Sequence, residues 1–273
     1  MNTKLLLLAP LLLVVTAGCL SSEPSADEVR DAVVGNEVSS YVYETERVVG
    51  ISVWSGGPTR TLTVTTEGRF DYENREMRAV TETVRNDSGG FWTDEEVVTG
   101  ANTTTYLVDG RLYMRTVGEF VDSDWVYFED TDDGVDDVGD TWRARDDLGF
   151  YIGVLEDVDD VRYADEQPDD EVAVLVLELT DDEQKEFLAG RFVEEPEFFD
   201  ETGIESFEAA YHVKNDRLVR VETDVVITAP ERETEAGTVD YGVSISFVSE
   251  FGYDEPVVVE LPDEAVGAEP ARA

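Results

Sequence analysis

A single histidine, His212, and a single cysteine, Cys19, serve the whole of this 273-residue chain. One histidine excludes a histidine-based metal cluster, which needs several imidazoles in one place. It also leaves a Ser-His-Asp triad only one position to draw on. That position sits beside a predicted hairpin turn, on the polar face of a strand. One cysteine excludes an intramolecular disulfide, and a chain of this length builds a core without one. Basic residues are scarce as well. Twenty Lys and Arg face 64 Asp and Glu, for a net charge of −44, and only Lys4, Lys185 and Lys214 are lysines. This balance argues against nucleic acid as a partner, because phosphate recognition needs a basic face. Neither a P-loop nor a glycine-rich dinucleotide fingerprint occurs. The expectation from these absences is a non-enzymatic protein without cofactor or metal.

What is present is a folded domain. Hydrophobic residues make up 41% and aromatics 10%, and the acids are spread between apolar residues along the whole length. Such a chain has the means to bury a core, unlike a disordered acidic tail. Its acids form a coat whose self-repulsion opposes compactness in dilute salt. At molar salt the screening length is only about 3 Å, and the repulsion is largely removed. In this acid excess the chain resembles proteins of extreme halophiles. Carboxylate pairs then arise everywhere by chance and carry little catalytic meaning.

The chain opens MNTKLLLLAPLLLVVTAG. Lys4 is the positive start, Leu5 to Val15 the apolar run, and Thr16, Ala17 and Gly18 the small residues of a secretory signal. The run is too short to span a membrane, which takes roughly 20 apolar residues. "TAGC" resembles a lipobox. That resemblance implies cleavage before Cys19 and a lipid on its sulfur, leaving the protein exported and anchored to the outer face of the cytoplasmic membrane. The alternative is an ordinary secreted protein with a stray thiol. Residues 1–18 are then signal peptide, and residues 19–26 hold the lipidated Cys and a polar tether.

A single β domain is expected over 27–266, with a disordered tail over 267–273. Ser25-Ala26-Asp27-Glu28 reads as a capping box opening a short helix that Gly35 stops. From Val38 the period changes to two. Tyr41, Tyr43, Val49, Ile51 and Val53 share one strand face, and Leu62, Val64, Phe70 and Tyr72 share another. "YLVDGRLYM" predicts a hairpin turning at Asp109-Gly110, with Leu107 opposite Leu112, Thr105 opposite Met114 and Tyr106 opposite Tyr113. In "YHVKNDRLVRV" the binary pattern favours an odd loop that puts Val213 opposite Val219, Tyr211 opposite Val221 and His212 opposite Arg220. Val172 to Leu179 reads as a strand. Thr180 to Glu183 is a second capping box, opening a helix that ends at Gly190. Tyr241, Val243, Ile245, Phe247 and Phe251 lie on one late-strand face. Ala144, Leu148, Ile152 and Leu155 recur at helical spacing and must bury one face.

Two local patterns invite chemistry. "EDTDDGVDDVGD" places Gly134 sixth in an EF-hand frame, but Glu129 and Thr131 are wrong at the first and third positions, so a solvated acidic loop is expected. Asn86-Asp87-Ser88 and Asn102-Thr103-Thr104 fit the glycosylation sequon, making Asn86 and Asn102 candidate acceptors.

The order of elements and the ending "FGYDEPVVVELPDEA" resemble lipoproteins of the LppX and LprG type and secreted haloarchaeal lipoproteins. The resemblance implies a LolA-like, mostly β (α+β) fold: one curved antiparallel sheet, an open half-barrel, with a few short covering helices. It further implies an alternating strand after Pro256 and an apolar cavity for acyl chains. Leu148, Phe150, Tyr151, Ile152 and Leu155 are the candidate residues for a hydrophobic ligand, a lipid or other small molecule. Three functions stay open: a membrane-anchored carrier of such a ligand, a surface interaction or structural lipoprotein with a filled core, and an extracytoplasmic hydrolase. The protein partner and the oligomeric state are left unspecified.

Overall fold

The computed structural model describes residues 24–53, 59–87, 97–129, 142, 145–167, 171–191, 203–234, 237–253 and 256–271. Cys19, the signal segment, most of the tether, Ser88, Ala144 and all but the first residue of the acidic run lie outside them. Helix α1 spans Ala26–Val34 and has the predicted capping box, with Ser25 Oγ accepting the Glu28 amide and the Glu28 carboxylate accepting the Ser25 amide at 2.8 Å.

The strands follow as β1 (Ser40–Val53), β2 (Thr59–Asp71), β3 (Glu76–Asp87), β4 (Val97–Val108), β5 (Arg111–Gly118) and β6 (Val126–Glu129). Helix α2 (Asp147–Asp157), β7 (Val161–Tyr163), β8 (Ala173–Leu177) and α3 (Asp181–Arg191) come next. The chain ends with β9 (Gly203–Lys214), β10 (Arg217–Thr234), β11 (Gly237–Gly252), α4 (Asp263–Val266) and β12 (Glu269–Pro270). All the strands join one sheet in the order β12-β6-β5-β4-β3-β2-β1-β11-β10-β9-β8-β7. The end strands β12 and β7 do not meet, so the curved sheet is an open one, mostly antiparallel, as expected.

Period-two alternation sorts each strand into an inner and an outer face. On the inner face Tyr41, Phe70, Met77, Leu107 and Leu112 stand in register across β1 to β5, and all are buried. Tyr41 stacks on Phe70 at 5.1 Å, and Trp142 meets Phe70 edge-on at 4.9 Å. Across β8 to β11 the inner residues Leu175, Tyr211, Val221, Ile245 and Phe251 continue this core. α1 adds Val29 and Val33, α2 adds Leu148, Tyr151 and Leu155, and α3 adds Phe187 and Leu188. Each such side chain contributes about 1.5–3 kcal/mol by leaving water.

The Asp109-Gly110 hairpin has the predicted register, and both turn residues take positive φ, 52° and 72°. A two-residue type I′ turn requires this of both positions. The second hairpin differs from expectation. Asn215 and Asp216 form a two-residue turn with φ of 52° and 57°, and Leu218, not Val219, faces Val213. A bulge at Val219 then shifts the register, so that Arg220 faces His212 and Val221 faces Tyr211 as predicted. The face conflict is settled by one extra residue in the strand rather than in the loop.

The C-terminal segment also differs. Residues 256–262 form no strand; they cross the outer face, where Val259 and Leu261 pack with Trp125 and Tyr127 around buried Tyr106 and Tyr113. Within the expected disordered tail, Glu269–Pro270 pairs in parallel with β6, and the Ala271 amide donates to the Tyr127 carbonyl at 2.8 Å. Ala265 of α4 is fully buried against the same patch. The aromatic outer side of β4–β6 gives Val259, Leu261 and Ala265 of the segment a surface to cover.

Candidate functional site

The site begins where α2 meets the sheet. Asp146 caps α2 by accepting the Gly149 amide at 2.9 Å. Its carboxylate also accepts the hydroxyls of Tyr41, at 2.8 Å, and Tyr72, at 2.7 Å. Burial, followed by the nearby Asp146 charge, pushes both phenols well above the ordinary tyrosine value. Next in sequence, Asp147 accepts the Thr45 hydroxyl at 2.9 Å. These bonds fix the start of α2 over β1 and β2 and hold Arg145 over the inner face.

One layer along the strands, the apolar row gives way to hydroxyls. Ser249, Thr45, Thr66, Thr81, Thr103 and Thr116 stand in register across β11, β1, β2, β3, β4 and β5. They bond in pairs: Thr45 with Ser249 at 3.0 Å, Thr66 with Thr81 at 3.1 Å, and Thr103 with Thr116 at 3.0 Å. The row is aligned by the register alone, since neighbouring inner positions lie opposite one another. Beside it, the ring of Tyr43 lies over Gly68, where a Cβ would come within 2.1 Å of the ring. Only glycine allows that close approach.

Further along, the inner face turns basic. On β1 to β3 the charged residues at these inner positions are Arg47, Arg60, Arg85 and Asp87. Asp87 accepts from Arg60 at 2.6 Å and from Arg85 at 2.5 Å, and the Arg85 bond holds its carboxyl below the usual range. In a chain with three acids for every base, this stretch of β1 to β3 carries three bases and one acid.

A cleft of about 260 Å³ opens between the hydroxyl row and α2. Thr45, Thr66, Thr81, Arg47, Arg145 and Asp147 form its polar walls, and Tyr43, Val64, Ala79, Tyr151 and Phe247 the rest. The enclosed apolar cavity implied by the resemblance is not seen among the described residues; an open and largely polar cleft takes its place. A second groove of about 480 Å³ runs between α2 and α3, with Phe150, Val154, Leu179 and Phe187 in it and Asp157, Glu183 and Glu186 on its rim.

The candidate ligand residues divide. Leu148 and Leu155 are 0% and Tyr151 1% exposed, so protein atoms already cover them. The buried stripe of α2 is Leu148-Tyr151-Leu155, which moves Ile152 to the flank, where it is only partly buried. Tyr151 reaches the sheet, its hydroxyl 3.4 Å from Ser249, and it also lines the cleft. Phe150 lies in the α2–α3 groove, edge-on to Phe187 at 5.3 Å. Asn86 and Asn102 are both exposed on the outer face of the sheet. His212 is also outer-facing, with Glu222 at 3.8 Å, and burial lowers its basicity. Among the described residues no group of His, Cys, Asp and Glu is placed to hold a metal.

The hydroxyl row and Arg145 escaped the sequence reading. Thr66 and Gly68 share the parity of Leu62, Val64, Phe70 and Tyr72, and Thr45 shares that of Tyr41 and Tyr43. Polar residues at inward parity were the available signal.

No family model and no curated protein matches the chain. Among solved structures it is similar to a beta-barrel-like protein of the domain of unknown function DUF1849 from Brucella abortus, at 12% identity over 79% of this chain and 100% of that one, with a TM-score of 0.32. It is also similar to a DUF1329 family protein from Desulfovibrio piger, at 10% identity over 86% and 96% of the two chains, with a TM-score of 0.24. Likenesses this distant assign no function, and the fold rests on the sheet itself.

Proposed function

We propose that this is a non-enzymatic, exported lipoprotein of LolA-like type, held at the outer face of the cytoplasmic membrane by a lipid on Cys19. Its task is to bind a lipid-like ligand on the open part of the half-barrel. The observation that carries this reading is the division of the inner face. Across β1 to β5 one end is filled by Tyr41, Phe70, Met77 and the helices, whereas Thr66, Thr81, Thr103 and Thr116 toward the other are only partly buried. A sheet that served only to pack its own core would bury apolar side chains along its whole inner face. The haloarchaeal lipoprotein likeness of the sequence fits the same reading, as does the acidic coat. The purely structural or interaction reading is favoured by one observation, the closure of Leu148, Tyr151 and Leu155 against the sheet.

The full chain, purified from its own host in a bile-salt detergent, separates the two. Native mass spectrometry and solvent extraction should find lipid bound in stoichiometric amount. A lipid-free protein that takes up no apolar probe leaves the interaction reading standing. The anchor is tested by fractionation: wild type follows the membranes, and Cys19→Ser is released or stays uncleaved. Equal fractionation and mass for both remove the anchor.

A further inference from the structure

We infer that the cleft beside the hydroxyl row takes the anionic head, carboxylate or phosphate, of an amphiphile, with Arg145 as its main binding group. This rests on the ligand-binding reading and narrows it from lipid-like molecules in general to those with an anionic head.

Arg145 stands immediately before Asp146, which the two tyrosines and the Gly149 amide lock in place. The arginine is therefore presented by a rigid element. Its guanidinium is largely withdrawn from water, and burial lowers it from the usual arginine range. Among the described residues no carboxylate pairs with it. A guanidinium stays charged in proteins, so an uncompensated buried one costs stability. Such a cost is commonly found where a charge awaits its counter-ion in a ligand.

The surroundings complete an anion site. Arg47 lines the same cleft, as do Thr66 and Thr81, whose hydroxyls bond to each other at 3.1 Å. Guanidinium forks match carboxylate and phosphate oxygens in pairs, and hydroxyl donors add to them. The Asp147 carboxylate, also in the cleft, accepts the Thr45 hydroxyl, so two arginines stand against one acid. In a chain of net charge −44 that local excess sets the cleft apart from the rest of the surface.

The size fits a head and not a whole lipid. About 260 Å³ falls short of the roughly 300–1,000 Å³ of pockets that enclose drug-sized molecules. The tail has a path beyond it. Val64 lines the cleft, and the inner positions Leu62, Val49 and Val243, all partly buried, continue toward the open end of the sheet. A tail laid there gains about 0.8 kcal/mol for each CH₂ it buries.

The test uses the full-length protein in its native membranes, in molar salt. Three long-chain photo-crosslinking probes are compared: a carboxylic acid, an alkyl phosphate and the corresponding alcohol. Labelling is read per peptide by mass spectrometry. The acid, the phosphate or both should label the peptides holding Val64, Ala79 and Phe247 about tenfold more than the alcohol. The stronger of the two identifies the head. Arg145→Gln should bring the anionic probes down to the alcohol's yield without changing the alcohol, and Arg145→Lys should recover part of the difference. If all three probes label those peptides equally, or Arg145→Gln keeps the preference, the anionic-head inference fails and the ligand-binding reading survives. If none of them labels the inner face, both fall together.

Discussion

Along β1 the inner side chains run Tyr41, Tyr43, Thr45, Arg47, Val49, and along β3 they run Met77, Ala79, Thr81, Thr83, Arg85. At the first end of these strands every inner residue is buried, and aromatic rings and helices close over them. At the other end the residues are partly buried or, at Arg85, exposed, and all but Val49 carry hydroxyls or guanidinium groups. The same alternation thus builds two kinds of surface within one sheet. The period decides which way a side chain faces; the side chain decides whether that position packs or stays available.

Mutations at the filled end should have the largest effects. Phe70→Ala removes a fully buried ring between Tyr41 and Trp142 and should cost about 3–5 kcal/mol in denaturant unfolding at molar salt. A cost below about 1 kcal/mol would mean this end is not a packed core.

The junction between the ends comes next. Asp146→Ala strands two tyrosine hydroxyls and removes a helix cap, for about 2–4 kcal/mol by the same assay. The tyrosines also set a pH limit. Burial, then the Asp146 charge, raises both phenols above their unfolded value of about 10. Their contribution is complete below that pH and is lost as pH rises from there toward the folded values. Stability should fall above about pH 10, and less steeply in Tyr72→Phe. Equal alkaline slopes for the two proteins would remove Tyr72 from the account.

Salt acts on the outside of both ends. Removing it should expose the acid coat to self-repulsion and lower the melting temperature steeply. A melting temperature unchanged between molar and millimolar salt would count against a salt-adapted surface.

Much of the filled end was legible in the sequence because apolar alternation reports burial directly. Tyr41, Phe70, Leu107, Leu112 and Phe251 all lie where their parity put them. The spacing places the helix over them but gives its stripe through Ile152; Tyr151, despite its polar hydroxyl, takes that place in the core. The open end was illegible for a different reason. Thr45, Thr66, Thr81, Thr103 and Thr116 are scattered in sequence and become a row only when strand order and register bring them together. Arg145 precedes its helix, and its meaning depends on a sheet far away in the chain. The C-terminal strap reads as an alternating strand followed by a tail, and only the aromatic outer face of β4–β6 explains why it lies across the sheet instead.

The smallest stability effects belong to the open end. Thr66→Val and Thr81→Ala should each cost less than about 1 kcal/mol, since each removes one half-exposed hydroxyl bond. Losses as large as that for Phe70→Ala would erase the distinction between the ends.

The division itself is measured most directly by thiol labelling of the native full chain, read per peptide, with cysteine placed at one inner position of each kind. Thr81→Cys should react readily in the folded protein and become protected when host lipid extract is added. Leu107→Cys should react only on unfolding, with or without lipid. Equal protection of the two sites in the lipid-free protein would contradict an inner face that is packed at one end and open to a ligand at the other.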